Sequence, residues 1–304
     1  MRTHSLPSLN ILKTEIKMKI ILTGSKGFVG TRVLSHLTSA GHRVECIESK
    51  DLRGEITGER YDALLRRFDQ IGPDAVIHTA AISDMDTAQR DPDASYLANV
   101  RLPEIMAELS SRFGAKLVSC SSDQVYNGTL HIHSHREEDV SPPANVYGRH
   151  KLEGEARVSD ACPDAVSLRL TWMYDMPVFR SHTNFGFPMM LIRAAAENRA
   201  MEFSTDNFQG LTYVRSVAEN MEKAIGLPGG VYNFGSENPL DMYNTALAFA
   251  RALGLASRAE ELIIPVERNN ETSLLMDCSL LCSHGITFET TAEGPVKMMA
   301  DYGV

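Results

Sequence analysis

Tyr147 and Lys151 lie four residues apart in a segment whose pattern predicts a helix through Ala156. Residues at this spacing project from one face of a helix, about one turn apart. A phenol with its ordinary pKa of about 10 exchanges protons poorly at neutral pH, and a neighbouring ammonium group lowers that pKa. Ser122, 25 residues before Tyr147, ends a predicted strand, where its hydroxyl could hydrogen-bond a carbonyl group. These three residues predict proton transfer to or from a carbonyl substrate.

A second group of residues is suited to binding phosphate. Residues 23–30 space three glycines at intervals of three, between a buried-strand pattern and an apolar helix pattern. Gly24 permits a tight turn, Gly27 lets backbone N–H groups approach a pyrophosphate, and Gly30 lets the helix pack closely on the sheet. The helix N-terminus then presents its partial positive charge to the phosphates. The motif predicts a dinucleotide site whose cofactor-binding residues are Gly24, Lys26, Gly27, Phe28, Val29 and Gly30.

The residues after the second predicted strand leave the form of the nicotinamide cofactor open. Glu48 could accept a hydrogen bond from a ribose 2′-hydroxyl, which favours NAD. Lys50 and Arg53 follow closely and could instead pair with a 2′-phosphate, which favours NADP. All three residues also suit a solvated loop. We therefore expect NADP or NAD as the cofactor, with Glu48 as a cofactor contact.

Short apolar runs alternate with helical periodicity through the first half of the chain, and these elements must position both groups of residues. Strands that alternate with helices of this length predict parallel βαβ units with right-handed crossovers. The pattern is typical of an α/β Rossmann fold with a doubly wound parallel sheet. Helical spacing also predicts one helix over residues 94–113. The predicted strands occupy residues 19–23, 43–47, 75–78, 116–120 and 165–168.

The pattern becomes fragmentary after about residue 170, where glycines and aromatic residues interrupt it. Residues 1–17 are predicted to be a flexible N-terminal extension, and residues 18–170 an NAD(P)-binding Rossmann domain. The segment around 210–235 contains a helix pattern and a strand-like run that this domain could recruit. Residues 171–304 are predicted to form a smaller C-terminal α/β substrate-binding lobe.

The composition limits the partners of the protein. The formal net charge is −9, which argues against binding to a nucleic-acid backbone. No apolar run approaches the ~18 residues needed to cross a membrane. The five cysteines form no even disulfide framework, so we expect a reduced, cytoplasmic chain. A small-molecule substrate is the remaining expectation, and a homodimer is an open alternative to a monomer.

Two other clusters contain metal-ligating residue types but are interpreted otherwise. His131, His133 and His135 alternate in a polar segment, so an extended chain would point all three to one side. A solvent-exposed loop is the preferred interpretation. Cys278 and Cys282 are four residues apart with no second pair close by, and we interpret them as core thiols. No metal site is predicted.

Two segments that follow predicted strands carry a family resemblance. Residues 121–128 read Ser-Ser-Asp-Gln-Val-Tyr-Asn-Gly after the fourth strand, and residues 78–81 read His-Thr-Ala-Ala at the end of the third. Together with the glycine turn, Tyr147 and Lys151, these segments resemble the extended short-chain dehydrogenase/reductases, most closely the dTDP-4-dehydrorhamnose reductases. The resemblance implies further cofactor contacts at Ala80, Ala81 and Asn99.

The second half of the chain is similar to the same family with larger departures. Trp172 follows the fifth strand, where the family brings a tryptophan to the sugar. Residues 206–212 resemble the family's Asp-Gln-x-Gly-x-Pro-Thr run loosely, since Leu211 replaces proline and the glutamine is displaced to Gln209. These departures leave the exact sugar open. The resemblance implies substrate contacts at Asp123, Trp172 and Thr212.

The resemblance implies hydride transfer from NAD(P)H to the ketone carbon of a nucleotide-linked 4-keto-6-deoxy sugar. Tyr147 would protonate the nascent alkoxide, and Ser122 would polarise the carbonyl group. Lys151 would tune Tyr147 and hold the nicotinamide ribose. The expected class is an NAD(P)-dependent oxidoreductase that acts on a CH–OH or C=O group.

Two alternatives to the reductase stay open. A nucleotide-sugar epimerase or dehydratase would use the same residues with a bound, recycled cofactor, although Asp123 supplies only the acid of a dehydratase's acid–base pair. A non-catalytic, cofactor-binding regulatory subunit, like the beta subunit of methionine adenosyltransferase, would keep the fold without turnover. The intact set of Ser122, Tyr147 and Lys151 favours an enzyme.

Overall fold

A computed structural model describes residues 17–128, 133–139, 142–176, 186–269 and 273–304. Within those ranges, every helix is too short or too polar to span a lipid bilayer. The strands are β1 (Lys19–Thr23), β2 (Arg43–Ile47), β3 (Ala75–His78), β4 (Lys116–Ser122), β5 (Val166–Leu170), β6 (Trp172–Tyr174), β7 (Met201–Ser204), β8 (Phe208–Gln209), β9 (Leu211–Tyr213), β10 (Gly230–Phe234), β11 (Ile263–Val266) and β12 (Ser273–Leu274). The helices are α1 (Phe28–Ser39), α2 (Ser49–Leu52), α3 (Glu59–Ile71), α4 (Met85–Arg90), α5 (Pro92–Tyr96), α6 (Leu102–Phe113), α7 (Val146–Ala161), α8 (Phe187–Ala196), α9 (Val214–Ala224), α10 (Met242–Ala252), α11 (Ala259–Leu262), α12 (Ser279–Ser283) and α13 (Gly294–Asp301).

A six-stranded parallel sheet forms the centre of the described structure. Its order is β10-β5-β4-β3-β1-β2. The chain adds β2 on one side of β1 and then β3 on the other, so the winding direction reverses between β1 and β3. This arrangement confirms the predicted α/β fold with a doubly wound parallel sheet. Strand β10, from the segment around 210–235, pairs with β5 and so enters this sheet.

Two apolar layers cover the sheet, because successive residues of a strand point to opposite faces. Leu22 of β1 points into one layer, where Val33 of α1 and Met221 of α9 are fully buried. Ile21 points into the other layer, which contains Phe68 of α3. The two layers hold the carboxyl ends of β1, β3, β4 and β5 at one edge of the sheet.

Beyond β5 the chain builds an apolar cluster of its own. Among the described residues, three two-stranded parallel pairings occur there: β6 with β9, β7 with β11 and β8 with β12. The ring centroid of Phe249 lies 4.8 Å from those of both Tyr174 and Phe187, and all three side chains are buried. Because α9 packs on α1 and β10 pairs with β5, the chain returns to the first half before it ends. The domain limits 18–170 and 171–304 stay a prediction.

The helix predicted over residues 94–113 is interrupted. Helix α5 gives way to a π-helical turn at Leu97–Arg101 before α6 begins. Pro103 has no N–H group to donate to the carbonyl of Asn99, four residues earlier, so the regular hydrogen-bond ladder fails at that point. That carbonyl packs against Gly154 of α7, where a Cβ atom would lie 2.4 Å from it. The wide turn and the glycine together let α7 approach closely.

Candidate active site

A cavity of about 610 Å³ opens at the carboxyl ends of β1, β3, β4 and β5. Its walls come from the residues that follow these strands, and the second half of the chain contributes Trp172, Gln209 and Leu274. Doubly wound sheets bind ligands at the carboxyl ends of their strands, beside the point where the winding reverses. The volume falls in the range of small-molecule sites. This cavity is the candidate active site.

The glycine turn after β1 forms part of the cavity wall. Gly24 has a φ of +72°, and a Cβ atom there would lie 2.6 Å from the Thr79 Oγ1 atom. A Cβ atom at Gly30 would lie 2.1 Å from the Gly24 carbonyl oxygen, so the packing of α1 on the turn requires both glycines. Gly27 has an ordinary φ of −77° and faces the cavity. Its missing side chain keeps the backbone open on the cavity side, which suits a pyrophosphate at the N-terminus of α1.

Ser122, Tyr147 and Lys151 come together at the cavity. Ser122 ends β4, and the other two residues lie on successive turns of α7. Asn145 is the N-cap residue of that helix, and its Oδ1 atom accepts a hydrogen bond of 2.7 Å from the Gly148 N–H. The Lys151 Nζ atom donates to the Cys120 carbonyl at 2.9 Å and lies 5.8 Å from the centre of the Tyr147 ring.

The charges at this group differ from the sequence expectation. Burial raises the pKa of Tyr147 above its ordinary value, and hydrogen bonding to Ser122 opposes this only in part. Burial also lowers the pKa of Lys151 to about 8. The predicted lowering of the Tyr147 pKa by the Lys151 ammonium is therefore wrong for the chain alone, because desolvation of the phenol dominates its pKa. Tyr147 is held protonated at neutral pH, as a proton donor must be.

Asp123 and His78 are two further buried titratable groups at this edge of the sheet. Burial raises the pKa of Asp123 to about 6, while hydrogen bonds to Ser122 and Gln209 oppose that rise. Asp123 lines the cavity, as expected for a substrate contact. Burial lowers the pKa of His78 to about 3, and its neutral ring is hydrogen-bonded to the Thr23 hydroxyl at 2.7 Å. His78 thus joins β1 to β3 beneath the cavity.

A second glycine of α7 sets the distance between that helix and β4. A Cβ atom at Gly148 would lie 2.3 Å from the carbonyl oxygen of Gln124, in the 3₁₀ turn Asp123–Tyr126. Gln124 also accepts a hydrogen bond of 3.1 Å from the amide of Asn145, the residue that caps α7. Close contact between this turn and the start of α7 is what brings Tyr147 to Ser122.

The other residues predicted to bind the cofactor divide into two groups. Phe28, Val29 and Ala81 line the cavity. Asn99 lies behind it, with 1% of its surface exposed, and donates from Nδ2 to the Ile82 carbonyl at 3.0 Å. The predicted cofactor contact of Asn99 is therefore replaced by support of the segment that follows β3.

Lys26, Glu48 and Ala80 stand outside the cavity wall. Lys26 and Glu48 form an exposed ion pair, and its hydrogen bond lowers the pKa of the Glu48 carboxyl. The Ala80 N–H donates to the Thr23 hydroxyl at 3.4 Å and holds the strand end in place. Contacts between these three residues and a cofactor stay a prediction.

The two substrate residues predicted in the second half of the chain have different positions. Trp172 lines the cavity with 37% of its surface exposed, and its ring packs edge-on against Phe187 at 5.8 Å. Thr212 is fully buried, where its hydroxyl pairs with the Thr171 hydroxyl and accepts a hydrogen bond of 2.7 Å from the Ser236 N–H. The structure thus makes Thr212 a support of the wall beside Trp172 instead of a substrate contact.

Sequence reasoning missed several residues that line the cavity. Gln209 donates from Nε2 to Asp123 at 3.5 Å, and Leu274 reaches the cavity because it pairs in register with Gln209. The one sequence signal for Gln209 is its place in the run of residues 206–212 that resembles the family's motif. Other wall residues outside the predicted set include Ser83, Met85, Gln124 and Asn127.

The histidine and cysteine residues of the two clusters have different surroundings where the structure describes them. His131 lies outside the described residues, and His135 is fully buried, with its Nε2 atom 2.8 Å from the Ser273 carbonyl. The solvated-loop interpretation is therefore wrong for His135, which stacks on Tyr126 at 4.5 Å. Cys278 is buried and Cys282 is exposed, so the core interpretation fits only the first. No group of three His, Cys, Asp or Glu side chains within the described ranges could hold a metal ion.

Fold and site together define the class of the protein. A glycine turn, a doubly wound parallel sheet and a Ser-Tyr-Lys group at one cavity are the features of an extended short-chain dehydrogenase/reductase. The family model described as "RmlD substrate binding domain" matches residues 18–274. The chain belongs to this family.

Individual relatives agree with this assignment. The spore coat polysaccharide biosynthesis protein SpsK of Bacillus subtilis is 27% identical, over 78% of this chain and 80% of its own length. A dTDP-4-dehydrorhamnose reductase of Burkholderia thailandensis is 29% identical, over 82% of this chain and 84% of its own length. The crystal structure of a dTDP-4-dehydrorhamnose reductase from Bacillus anthracis in complex with NADP has a similar fold, with a TM-score of 0.78, 22% identity, and coverage of 94% of this chain and 99% of that one.

Proposed function

We propose that the protein reduces the ketone of a nucleotide-linked 4-keto-6-deoxy sugar with NADPH or NADH. The name of the Burkholderia thailandensis relative, dTDP-4-dehydrorhamnose reductase, describes a reaction of this kind. The observation that carries the proposal is the placement of Tyr147, a buried and protonated phenol, beside Ser122 in a cavity shared with the glycine turn. Membership of the RmlD substrate binding domain family supports the same class of substrate.

The residues at the glycine turn fit a dinucleotide. Gly27 leaves the backbone open towards the cavity, and the N-terminus of α1 offers N–H groups and a partial positive charge to a pyrophosphate. Phe28, Val29 and Ala81 add wall contacts, and the Lys151 amine is available for ribose hydroxyls. When bound, the reduced nicotinamide supplies the hydride that the ketone carbon accepts.

The chain itself supplies proton transfer and orientation. Tyr147 gives its proton to the ketone oxygen as the carbonyl group is reduced to a hydroxyl group. The Ser122 hydroxyl donates a hydrogen bond to the same oxygen and polarises the carbonyl group. Lys151 presents a positive charge beside the phenol, which stabilises the phenolate after the proton has left. Most of the acceleration comes from holding ketone, phenol and cofactor together.

The far wall of the cavity suits a sugar ring. Asp123 and Gln209 offer hydrogen-bonding groups, and Trp172 offers a partly exposed aromatic face. Sugars combine polar edges with apolar faces, so this mixture of side chains is suitable for one. We expect Asp123 and Trp172 to contact the sugar directly, while Thr212 supports the wall from behind.

The test is an incubation with NADPH or NADH and a panel of nucleotide-linked 4-keto-6-deoxy sugars. We expect stoichiometric loss of the reduced cofactor's absorbance and formation of the 4-hydroxy sugar, identified by mass spectrometry and NMR. The matching 4-hydroxy sugars serve as controls and should leave the reduced cofactor intact. Isomerised sugar without depletion of cofactor would favour the epimerase. Tight cofactor binding with no product from any ketone would favour the regulatory subunit.

A further inference from the structure

The end of β4 meets one stripe of α7 through three consecutive residues. The helix residues are spaced by four along the chain, so they lie on one face. Two of the three contacts include residues with a proposed catalytic role, whereas neither residue of the third contact has been given a role. The pairs are Ser122 with Tyr147, Cys120 with Lys151, and Ser121 with Glu155.

Glu155 is a buried carboxylate with a counter-charge of its own. The Arg169 Nη2 atom lies 2.7 Å from one oxygen of Glu155 and Nε lies 3.0 Å from the other, and both side chains are at least nine-tenths buried. Arg169 is the register partner of Ser121 across β4 and β5, and the Ser121 hydroxyl also donates to Glu155. Two neighbouring strands therefore hold this carboxylate against α7, one turn beyond Lys151.

Stability alone does not account for a charged pair in this place. Two charges lose their hydration on burial, and apolar residues of similar volume commonly stabilise a core as well as or better than such a pair. Arg169 also donates from Nη1 to the Tyr126 hydroxyl and to the Glu137 carbonyl, each at 2.7 Å. The arginine is thus fixed independently of Glu155, and it holds the carboxylate at one defined position.

We propose that Glu155 is a positioning residue, which holds the end of β4 that carries Ser122 and the Cys120 carbonyl bonded to the Lys151 amine, and which places its own charge one helical turn from that amine. The proposal rests on the role of Lys151 in the proposed function. Glu155 acts through Lys151 and through β4, since its carboxylate is engaged by Ser121 and Arg169.

The groups that face the Lys151 amine from each neighbouring element support this role. Burial raises the pKa of the Cys120 thiol on β4 to about 12, and it also raises the pKa of Tyr147. Burial lowers the pKa of His78 on β3 to about 3. These three groups are neutral near pH 7, so a neutral Cys120 thiol cannot supply the Coulombic attraction that would raise the pKa of Lys151. Glu155 is the ionised group that opposes the loss of the Lys151 proton. Without the Glu155 charge, desolvation and the positive charge of Arg169 would both lower the pKa of the Lys151 amine.

The decisive measurement is the pKa of the Lys151 amine in the ligand-free protein, from NMR of side-chain carbon-labelled lysine. The Lys151 signal is assigned by its loss in Lys151→Met. In Glu155→Gln we expect the pKa of the amine to fall by about one unit, which is a tenfold loss of proton affinity. Glu153→Gln is the matched control, since Glu153 lies on the same helix with its side chain partly exposed, and it should leave the Lys151 titration unchanged.

A second variant keeps the proposal testable if Glu155→Gln does not fold. Glu155→Gln with Arg169→Met removes both charges and fills the space with an apolar side chain, and we expect it to fold with the Lys151 pKa still below that of the parent. A merely structural Glu155 would lower the melting temperature without moving the titration. An unchanged Lys151 pKa in either folded variant would overturn the proposal. No sugar or cofactor is present in this measurement, so its outcome is independent of the turnover assay.

Discussion

Tyr147 is buried, protonated at neutral pH and directed at the cavity beside Ser122. Tyr147→Phe retains the ring and its packing and removes only the hydroxyl. We expect turnover of the keto-sugar to fall roughly 100- to 10,000-fold, the usual contribution of a positioned proton donor. Cofactor affinity, measured by fluorescence titration, should stay within about twofold because the ring does not hold the dinucleotide. A variant that turns over at the parent rate would remove Tyr147 from the proposed role.

Asp123 makes stability depend on pH in a direction opposite to that of an ion-paired carboxylate, whose pKa is lowered by folding. Its pKa is raised to about 6 in the folded chain, against about 3.9 for an unfolded Asp. The folded state therefore binds the proton more tightly, and the associated stability is complete below the unfolded pKa and lost as the pH rises through 6. Between pH 4 and 7.5 we expect the parent to lose about 2 kcal/mol of unfolding free energy relative to Asp123→Asn.

Urea titrations of the parent and of Asp123→Asn across this pH range test the expectation. Asp160→Asn is the control, because Asp160 is exposed on α7 and should follow the parent curve. Parallel curves for the parent and Asp123→Asn would show that the carboxyl titrates as it does in the unfolded chain.

The sequence predicts which residues meet at the site better than it predicts their ionisation. The spacing of Tyr147 and Lys151 is local, so it survives folding unchanged. The pKa of Tyr147 depends on how much water the surrounding elements exclude, and that depends on α7, β4 and the turn between them. A charge one helical turn away is visible in the sequence, whereas the depth of burial that outweighs it is not.

At the scale of the elements, two glycines of the same turn have different expected roles, Gly30 in folding and Gly27 in cofactor binding. A Cβ atom at Gly30 would meet the Gly24 carbonyl oxygen at 2.1 Å, so Gly30→Ala should destabilise the fold by about 3 kcal/mol or more. A Cβ atom at Gly27 would lie 3.2 Å from the same oxygen, so Gly27→Ala should cost about 1 kcal/mol or less. Gly27 lines the cavity, so we expect the added methyl group of Gly27→Ala to lower cofactor affinity roughly tenfold or more.

Chemical denaturation and cofactor titration of the two variants distinguish these roles. Gly41→Ala is a further control, since a Cβ atom there meets no atom within 4 Å and only the positive φ is strained. Normal cofactor affinity in a folded Gly27→Ala would contradict the proposed cradle.

Elements that are encoded locally were predictable, and those that depend on distant partners were not. The strands of the central sheet follow from short apolar runs such as residues 19–23 and 75–78. Gln209 reaches the cavity because β8 pairs with β12, and no local pattern indicates that pairing. The burial of Thr212 cannot be predicted locally for the same reason, since it comes from contacts with Thr171 and Ser236 in other segments.

At the scale of the whole molecule, the Rossmann layers are completed by the second half of the chain. Phe234 of β10 pairs in register with Leu170, and Met221 of α9 packs into the layer beside Leu22. A fragment of residues 18–170 would expose this apolar face to water. We expect the fragment to lack the cooperative urea transition of the full chain, as followed by near- and far-ultraviolet circular dichroism. A sharp transition in the fragment, with native-like near-ultraviolet signal, would contradict this.

The register between β8 and β12 has a consequence for how substrate preference can change. Gln209 and Leu274 are direct partners in that pairing, and together with Trp172 they form a wall supplied by the later part of the chain. The cradle at residues 24–30 and the Ser-Tyr-Lys group belong to the earlier part. Exchange of side chains at 172, 209 and 274 can therefore reshape the space for one sugar or another while the chemistry stays the same. New specificities in this architecture can arise by changes in this wall alone.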